Sequence, residues 1–295
     1  MAAEPAFRAS LKAEAAGLAA RLPALVIEAR LTARSVRHGV HGRRRAGPGE
    51  NFWQFRPFMS GEPAQRIDWR RSAREARAFV REREWEAAQT LSIWIDRTHS
   101  MNFASPLAAA SKRDRAIVLA LALADLAVQG GERVALLGLT QPIAAHDVIE
   151  RFALALGQAG ESDEDCPPPA AIGARAKVAL FGDFLADPQR LDAAFRALGA
   201  EGAGGVAAMI SDPIEETFPF RGAVDFLGPR DQAKLRSLNA QGLREAYLAR
   251  LDAQREAVRA TCRALGWGFF PHRTDAAPAA ALLALTTRLS APRAG

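Results

Sequence analysis

Asp96, Thr98 and Ser100 stand at alternate positions directly after the apolar run Leu91-Ser-Ile-Trp-Ile95. One carboxylate and two hydroxyls so spaced can be turned toward a single point, and an oxygen-only donor set suits Mg²⁺ or Mn²⁺ rather than zinc. Asp183 closes a second apolar run, Lys177-Val-Ala-Leu-Phe-Gly182. If the two runs are neighbouring strands, two carboxylates and two hydroxyls meet across one crevice. Coordination positions then remain for water or for a partner's acidic group, which favours binding over catalysis. The same residue types also cap the helix after a strand-to-helix turn, so the pattern alone serves either role. Arg97 and His99 share the turn and are candidates for partner contact.

Ligands of this kind lie outside the carboxyl ends of the strands in an open parallel sheet. Such a sheet is legible from Thr90 onward. Apolar runs at 91–95, 133–138, 177–182, 205–210 and 267–270 alternate with helical patterns at 112–129, 146–157, 188–199 and 241–265. That alternation predicts an α/β fold, a mostly parallel, Rossmann-like sheet flanked by helices. Ala116 to Val128 is a buried helix, because it falls well short of the roughly 20 apolar residues a bilayer span needs. Gly160 to Gly173, with Asp163, Glu164, Asp165 and three prolines, reads as a stiff acidic loop.

The residues before Thr90 differ in pattern. Leu11, Leu18, Leu22 and Leu25 lie at near-helical spacing, with Pro23 placed to kink or divide the segment. Beyond it, glycine and proline punctuation and the aromatics Phe52, Trp53, Phe55, Phe58 and Trp69 indicate short strands and turns. The expected organisation is a helical arm over 1–38, a small aromatic and basic β-rich module over 39–89, and the α/β domain over 90–295. Trp53, Trp69 and Trp85 are expected to be packing residues.

Composition bounds the function. The chain has 295 residues, 49% hydrophobic and 24% charged, enough for one large core plus an appendage. Cys166 and Cys262 stand far apart, which argues against a disulfide framework or a zinc site. The first thirty residues hold no uninterrupted apolar segment after a basic start, so no export signal and a cytoplasmic location are expected. Up to Glu86 there are 17 Lys or Arg against 10 Asp or Glu, so the basicity is concentrated there. Arg43, Arg44 and Arg45, between glycines, form a basic tract suited to phosphate or to an acidic protein face. Nucleic acid is the rival partner. Against it, Glu75, Glu82, Glu84 and Glu86 interleave with Arg74, Arg77, Arg81 and Arg83 and can pair with them locally. A protein partner is therefore expected.

The chain has neither a Gly-x-Ser-x-Gly elbow nor a Gly-x-x-x-x-Gly-Lys-Ser/Thr phosphate loop. A Mg²⁺-dependent phosphatase built on Asp96 and Asp183 would want a lysine near the transferred group, and Lys112 and Lys177 are the nearby lysines in sequence. A non-enzymatic role is the expectation.

Three stretches precede the Asp96 cluster: Gly47-Pro-Gly-Glu-Asn-Phe-Trp-Gln-Phe-Arg-Pro-Phe-Met-Ser-Gly-Glu62, Arg66-Ile-Asp-Trp-Arg-Arg-Ser-Ala-Arg74 and Phe79-Val-Arg-Glu-Arg-Glu84. Together with Gly131-Glu-Arg-Val134, Gly182-Asp-Phe-Leu185, Asp212-Pro213, Gly266-Trp267 and His272-Arg-Thr-Asp275, the chain resembles bacterial proteins of the domain of unknown function 58 family. The resemblance covers nearly everything from about residue 35. It implies a von Willebrand factor A-like α/β domain. It also implies partnership with a MoxR-type AAA+ ATPase and its client proteins, in a chaperone-like or adaptor role. Metal-binding domains of that kind join an Asp-x-Ser-x-Ser turn to a threonine from a second loop and an aspartate from a third. Asp96, Thr98, Ser100 and Asp183 match the first and third elements. The second is missing: between Val134 and Lys177 the only hydroxyl residues are Thr140 and Ser162. The resemblance thus implies a Mg²⁺ or Mn²⁺ site whose affinity is weakened by that departure.

Overall fold

The computed structural model describes residues 20–37, 52–58, 67, 69–73, 78–83, 89–174, 176–228 and 234–290. The chain divides into two compact units, 43–88 and the remainder.

Residues 20–37 form one helix, α1, which Pro23 does not divide. Leu22, Leu25, Ala29, Ala33 and Val36 recur at helical spacing and are buried in the core of the α/β unit. Over these residues the expected separate arm is therefore part of the larger unit. The smaller unit pairs β1 (Phe52–Pro57) with β2 (Phe79–Arg83) in antiparallel register, with a four-residue helix α2 (Trp69–Ser72) between them. Ser72 Oγ accepts from Phe79 N at 2.9 Å and ties α2 to β2. Trp69, expected to pack, is instead 66% exposed. Trp85 and the Arg43–Arg45 tract lie outside the described residues.

The larger unit continues with β3 (Thr90–Ile95), α3 (Lys112–Gln129), β4 (Arg133–Leu136), α4 (Val148–Ala159), β5 (Lys177–Gly182) and α5 (Pro188–Gly199). It then runs through β6 (Gly204–Ser211), α6 (Pro213–Thr217), β7 (Val224–Leu227), β8 (Lys234–Ser237), α7 (Arg244–Ala264), β9 (Gly268–Arg273) and α8 (Pro278–Ser290). Five strands make one sheet in the order β4-β3-β5-β6-β9, and each neighbouring pair is parallel. From β3 the chain goes one way to β4 and then crosses back to β5. The strand order reverses between β3 and β5, which makes that crevice the topological switch point.

Both faces of the sheet are covered, which is why its strands read as near-continuous apolar runs. Leu91, Ile93, Ile95, Ala179 and Phe181 pack with α1, α3, α4 and α8. Trp94, Val178, Leu180 and Met209 pack on the other face with α5 and α7. Two strand ends depart from expectation. β4 stops at Leu136, where the chain turns through Gly138 at φ 74°. β9 continues through Pro271 to Arg273; it is an edge strand, where a missing N–H costs no ladder bond. The β7–β8 hairpin was not expected from sequence. It is anchored by Phe226 against Phe218 and Phe220, with Phe218 in turn against Tyr247 of α7.

Candidate functional site

Asp96 N donates to Phe181 O at 2.8 Å, so the β3–β5 ladder runs one residue past β3 and sets Asp96 beside Gly182 and Asp183. A Cβ on residue 182 would stand 3.1 Å from Asp96 Cβ and 3.3 Å from the rings of Trp94 and Phe184. Glycine is thus what allows the two aspartate-bearing turns to approach. The next turn passes through Phe184 at φ 48°, a left-handed conformation that costs a non-glycine residue on the order of 1 kcal/mol. Its fully buried ring, packed on Trp94 and Phe195, offsets that strain and fixes the loop.

The turn after β3 is equally constrained. Thr98 N donates to Asp96 Oδ1 at 2.8 Å, the Thr98 and Ser100 hydroxyls share a 3.0 Å hydrogen bond, and Ser100 Oγ donates to Asp183 Oδ2 at 2.8 Å. The four residues singled out from sequence therefore meet at the switch point.

A fifth residue completes the cluster. Lys112, the first residue of α3 and only 1% exposed, donates from Nζ to the same Asp183 Oδ2 at 2.9 Å and to Glu215 Oε1 at 2.7 Å. Glu215 is in turn held by the capping box of α6, its Oε2 accepting from Asp212 N at 2.8 Å. Asp212 Oδ2 accepts from Ser105 N, also at 2.8 Å, which leads back to the β3–α3 loop. Thr98, Ser100, Asp183, Lys112, Glu215, Asp212 and Ser105 thus form a continuous hydrogen-bonded web, in which each bond polarises the next.

The electrostatics follow from burial. The Asp96 carboxyl is pushed up to about 7, first by burial and then by the neighbouring Asp183 charge, against the Thr98 hydrogen bonds and the pull of Lys112. Burial would depress the Lys112 ammonium, but the Asp183 and Glu215 carboxylates outweigh it and hold the group above the usual lysine value.

A divalent cation fits this arrangement poorly. Asp183 Oδ2 already accepts from a hydroxyl and an ammonium, and Asp183 Oδ1 accepts from Leu185 N. The ammonium stands where a second positive charge would be repelled. Thr140, the hydroxyl in the second-loop region, accepts from Leu136 N at 2.9 Å within its own turn.

The other sequence candidates do not converge on the cluster. The Arg97 guanidinium donates to the carbonyls of Ala159 and Gly160 at 3.1 and 2.9 Å, pinning the end of α4. His99 stands 3.7 Å from the buried Glu161 carboxylate. Around the rim Phe103, Leu107 and Leu185 are exposed at 44%, 57% and 49%. A cavity of about 200 Å³ opens beside β3, lined by Trp94, Arg97, Leu137, Ser162, Glu164 and Pro168. A wider cleft of about 430 Å³ adjoins Leu185, against Pro188, Tyr247, Leu251 and Gln254.

Sequence reasoning raised Lys112 only as a nearby lysine for the phosphatase reading, and it missed Glu215. The signal was present in Ser111-Lys-Arg-Asp-Arg115, which precedes nine apolar residues, Ala116–Ala124. A helix start with no polar face beyond it must be enclosed. Cations in the first turn oppose the helix dipole, so they need partners inside the fold.

Fold and site together define a doubly wound α/β protein with a charge-bridged polar cluster at its switch point. Residues 54–148 match the family described as protein of unknown function DUF58. Uncharacterized proteins of Mycobacterium bovis and Mycobacterium tuberculosis are 29% identical to it over 231 residues, 72% of this chain and 66% of theirs. The match thus spans slightly less than two thirds of those relatives' length. Among solved structures the chain is similar to an aerotolerance-related membrane protein from Bacteroides fragilis bearing multiple mutations to serine. That likeness has 14% identity and a TM-score of 0.41, over 68% of this chain and 98% of the other. It is also similar to the conserved hypothetical protein BatB from Bacteroides thetaiotaomicron, at 13% identity and a TM-score of 0.38, over 69% and 98%. Among the described residues no helix is long and apolar enough to cross a membrane.

Proposed function

We propose that this chain is a cytoplasmic, non-enzymatic adaptor. Its von Willebrand A-like sheet presents the switch-point rim to a MoxR-type AAA+ ATPase or its client during maturation or activation of other proteins. The observation that carries the reading is the rim itself: a closed polar web bordered by the exposed side chains of Phe103, Leu107 and Leu185. A polar centre among exposed large apolar groups suits a protein surface. The cavity beside β3 is smaller than the roughly 300–1,000 Å³ of small-molecule sites. The ATPase partnership rests on the family resemblance.

Two rivals make different predictions. A phosphatase would need its lysine to meet a phosphoryl group, yet the Lys112 ammonium is enclosed between two carboxylates. Nucleic-acid binding through Arg43–Arg45 would weaken steeply with salt. The test is binding of the purified MoxR-type ATPase from the same genome, with Phe103→Asp and Leu185→Asp as variants. Both should weaken the complex by roughly tenfold or more while leaving thermal unfolding unchanged. Capture that ignores both substitutions, or no complex with the wild type, would sink the reading.

A further inference from the structure

Lys112 has a geometry that the family pattern of metal ligands does not include. Its side chain is 1% exposed, and its Nζ bridges Asp183, in the loop after β5, and Glu215, in the first turn of α6, at 2.9 and 2.7 Å. Neither acceptor is free to turn away. Asp183 is held by Ser100 Oγ and by Leu185 N, and Glu215 is locked by its bond from Asp212 N. The ammonium also shares Asp183 Oδ2 with Ser100, the hydroxyl that would otherwise link a metal-bearing turn to that aspartate.

We infer that Lys112 takes the part of the metal: a tethered ammonium bridges the Asp183 and Glu215 carboxylates and offsets one of their two charges from within, and the rim is assembled without a divalent cation. Three features agree with this. The lysine belongs to the first turn of α3, so it arrives with the fold and cannot exchange with solvent. The second-loop threonine of a metal shell is missing, and Thr140, the hydroxyl of that region, is engaged at Leu136 N. Asp96, the remaining carboxylate, already accepts from Thr98 N. Recognition at this rim is then insensitive to chelators, whatever its partner.

The test uses the whole chain and no partner, so its outcome is separate from that of the adaptor reading. Mn²⁺ is titrated into wild type, Asp96→Asn, Lys112→Met and Lys112→Gln, followed by calorimetry and by the electron paramagnetic resonance of free Mn²⁺. The wild type should show no binding that Asp96→Asn removes. Loss of the ammonium should create a site, tightening Mn²⁺ binding by roughly tenfold or more, since a dication then meets two carboxylates with no competing charge. The gain should disappear when Asp96→Asn is added. Wild-type binding that Asp96→Asn abolishes would overturn the inference, and so would a folded Lys112 variant that gains nothing. If neither Lys112 variant folds, the comparison of wild type with Asp96→Asn decides alone.

Discussion

Helix α3 buries three cations in its opening turns, Lys112, Arg113 and Arg115, and the surroundings of the first and the last differ. Lys112 reaches the switch point, where no buried side-chain nitrogen or oxygen of the Asp96, Thr98, Ser100, Lys112, Asp183 and Glu215 set lacks a partner. Arg115 reaches the end of the edge strand β9. There it donates from Nη2 to Thr274 O at 2.9 Å and stands 3.6 Å from Glu28, while its Nε and Nη1, His272 Nε2 and Thr274 Oγ1 have no hydrogen-bond partner among the described residues. Ordered water is the ordinary way to satisfy such atoms. Burying charge therefore does not by itself mark a site. The switch point is distinguished by a web that joins several loops, held in place by a glycine and a strained phenylalanine.

The comparison breaks most visibly if the two cations are equally important. Lys112→Met leaves the buried Asp183 and the partly buried Glu215 without their counter-charge and should cost about 3–5 kcal/mol in urea unfolding. Arg115→Met removes one well-formed hydrogen bond and should cost about 1–2 kcal/mol. Equal losses would remove the distinction.

Acid and base should also act oppositely on the two corners. The folded-state value of Asp96, about 7, lies above its ordinary 3.8, so the folded protein holds the extra proton between them. Stability from this group is highest at low pH and falls as pH rises through that window. Asp96→Asn should remove the loss, making the variant about 2–4 kcal/mol more stable than wild type at pH 8, with the difference vanishing near pH 4. His272 has the reverse sign. Burial first, and then the Arg115 charge, push its imidazole down to about 4, so its stabilising contribution is complete above 6.5 and is lost as pH falls toward 4. Wild type should lose about 2–3 kcal/mol relative to His272→Phe between pH 7 and pH 4, measured by denaturant midpoints at each pH. A smaller effect is expected at the approach of the two turns. Gly182→Ala places a methyl 3.1 Å from Asp96 Cβ and should cost about 1–2 kcal/mol while weakening partner binding.

Much of this architecture was legible in the sequence because the apolar runs end where the ligands begin. Leu91–Ile95 empties into Asp96, and Lys177–Gly182 into Asp183, and a parallel sheet places such ends together. Lys112 was not legible as a partner of Asp183, 71 residues away, because a charged helix start ordinarily faces water. The β7–β8 hairpin escaped notice since its alternation is weak and its anchor, Tyr247, lies on a distant helix. β9 was expected to end at Phe270, before Pro271, and its place at the sheet edge allows it to continue. Exposure at Trp69 could not be read from an aromatic residue's identity.

The most direct test of the central claim, that Lys112 bridges the switch-point cluster from inside in place of a divalent cation, is anomalous diffraction from crystals grown in millimolar Mn²⁺. The account predicts Lys112 Nζ bridging Asp183 and Glu215, with no manganese peak within coordination distance of Asp96, Thr98 or Ser100. A fully occupied manganese bound to those three residues, with the Lys112 side chain displaced, would contradict it.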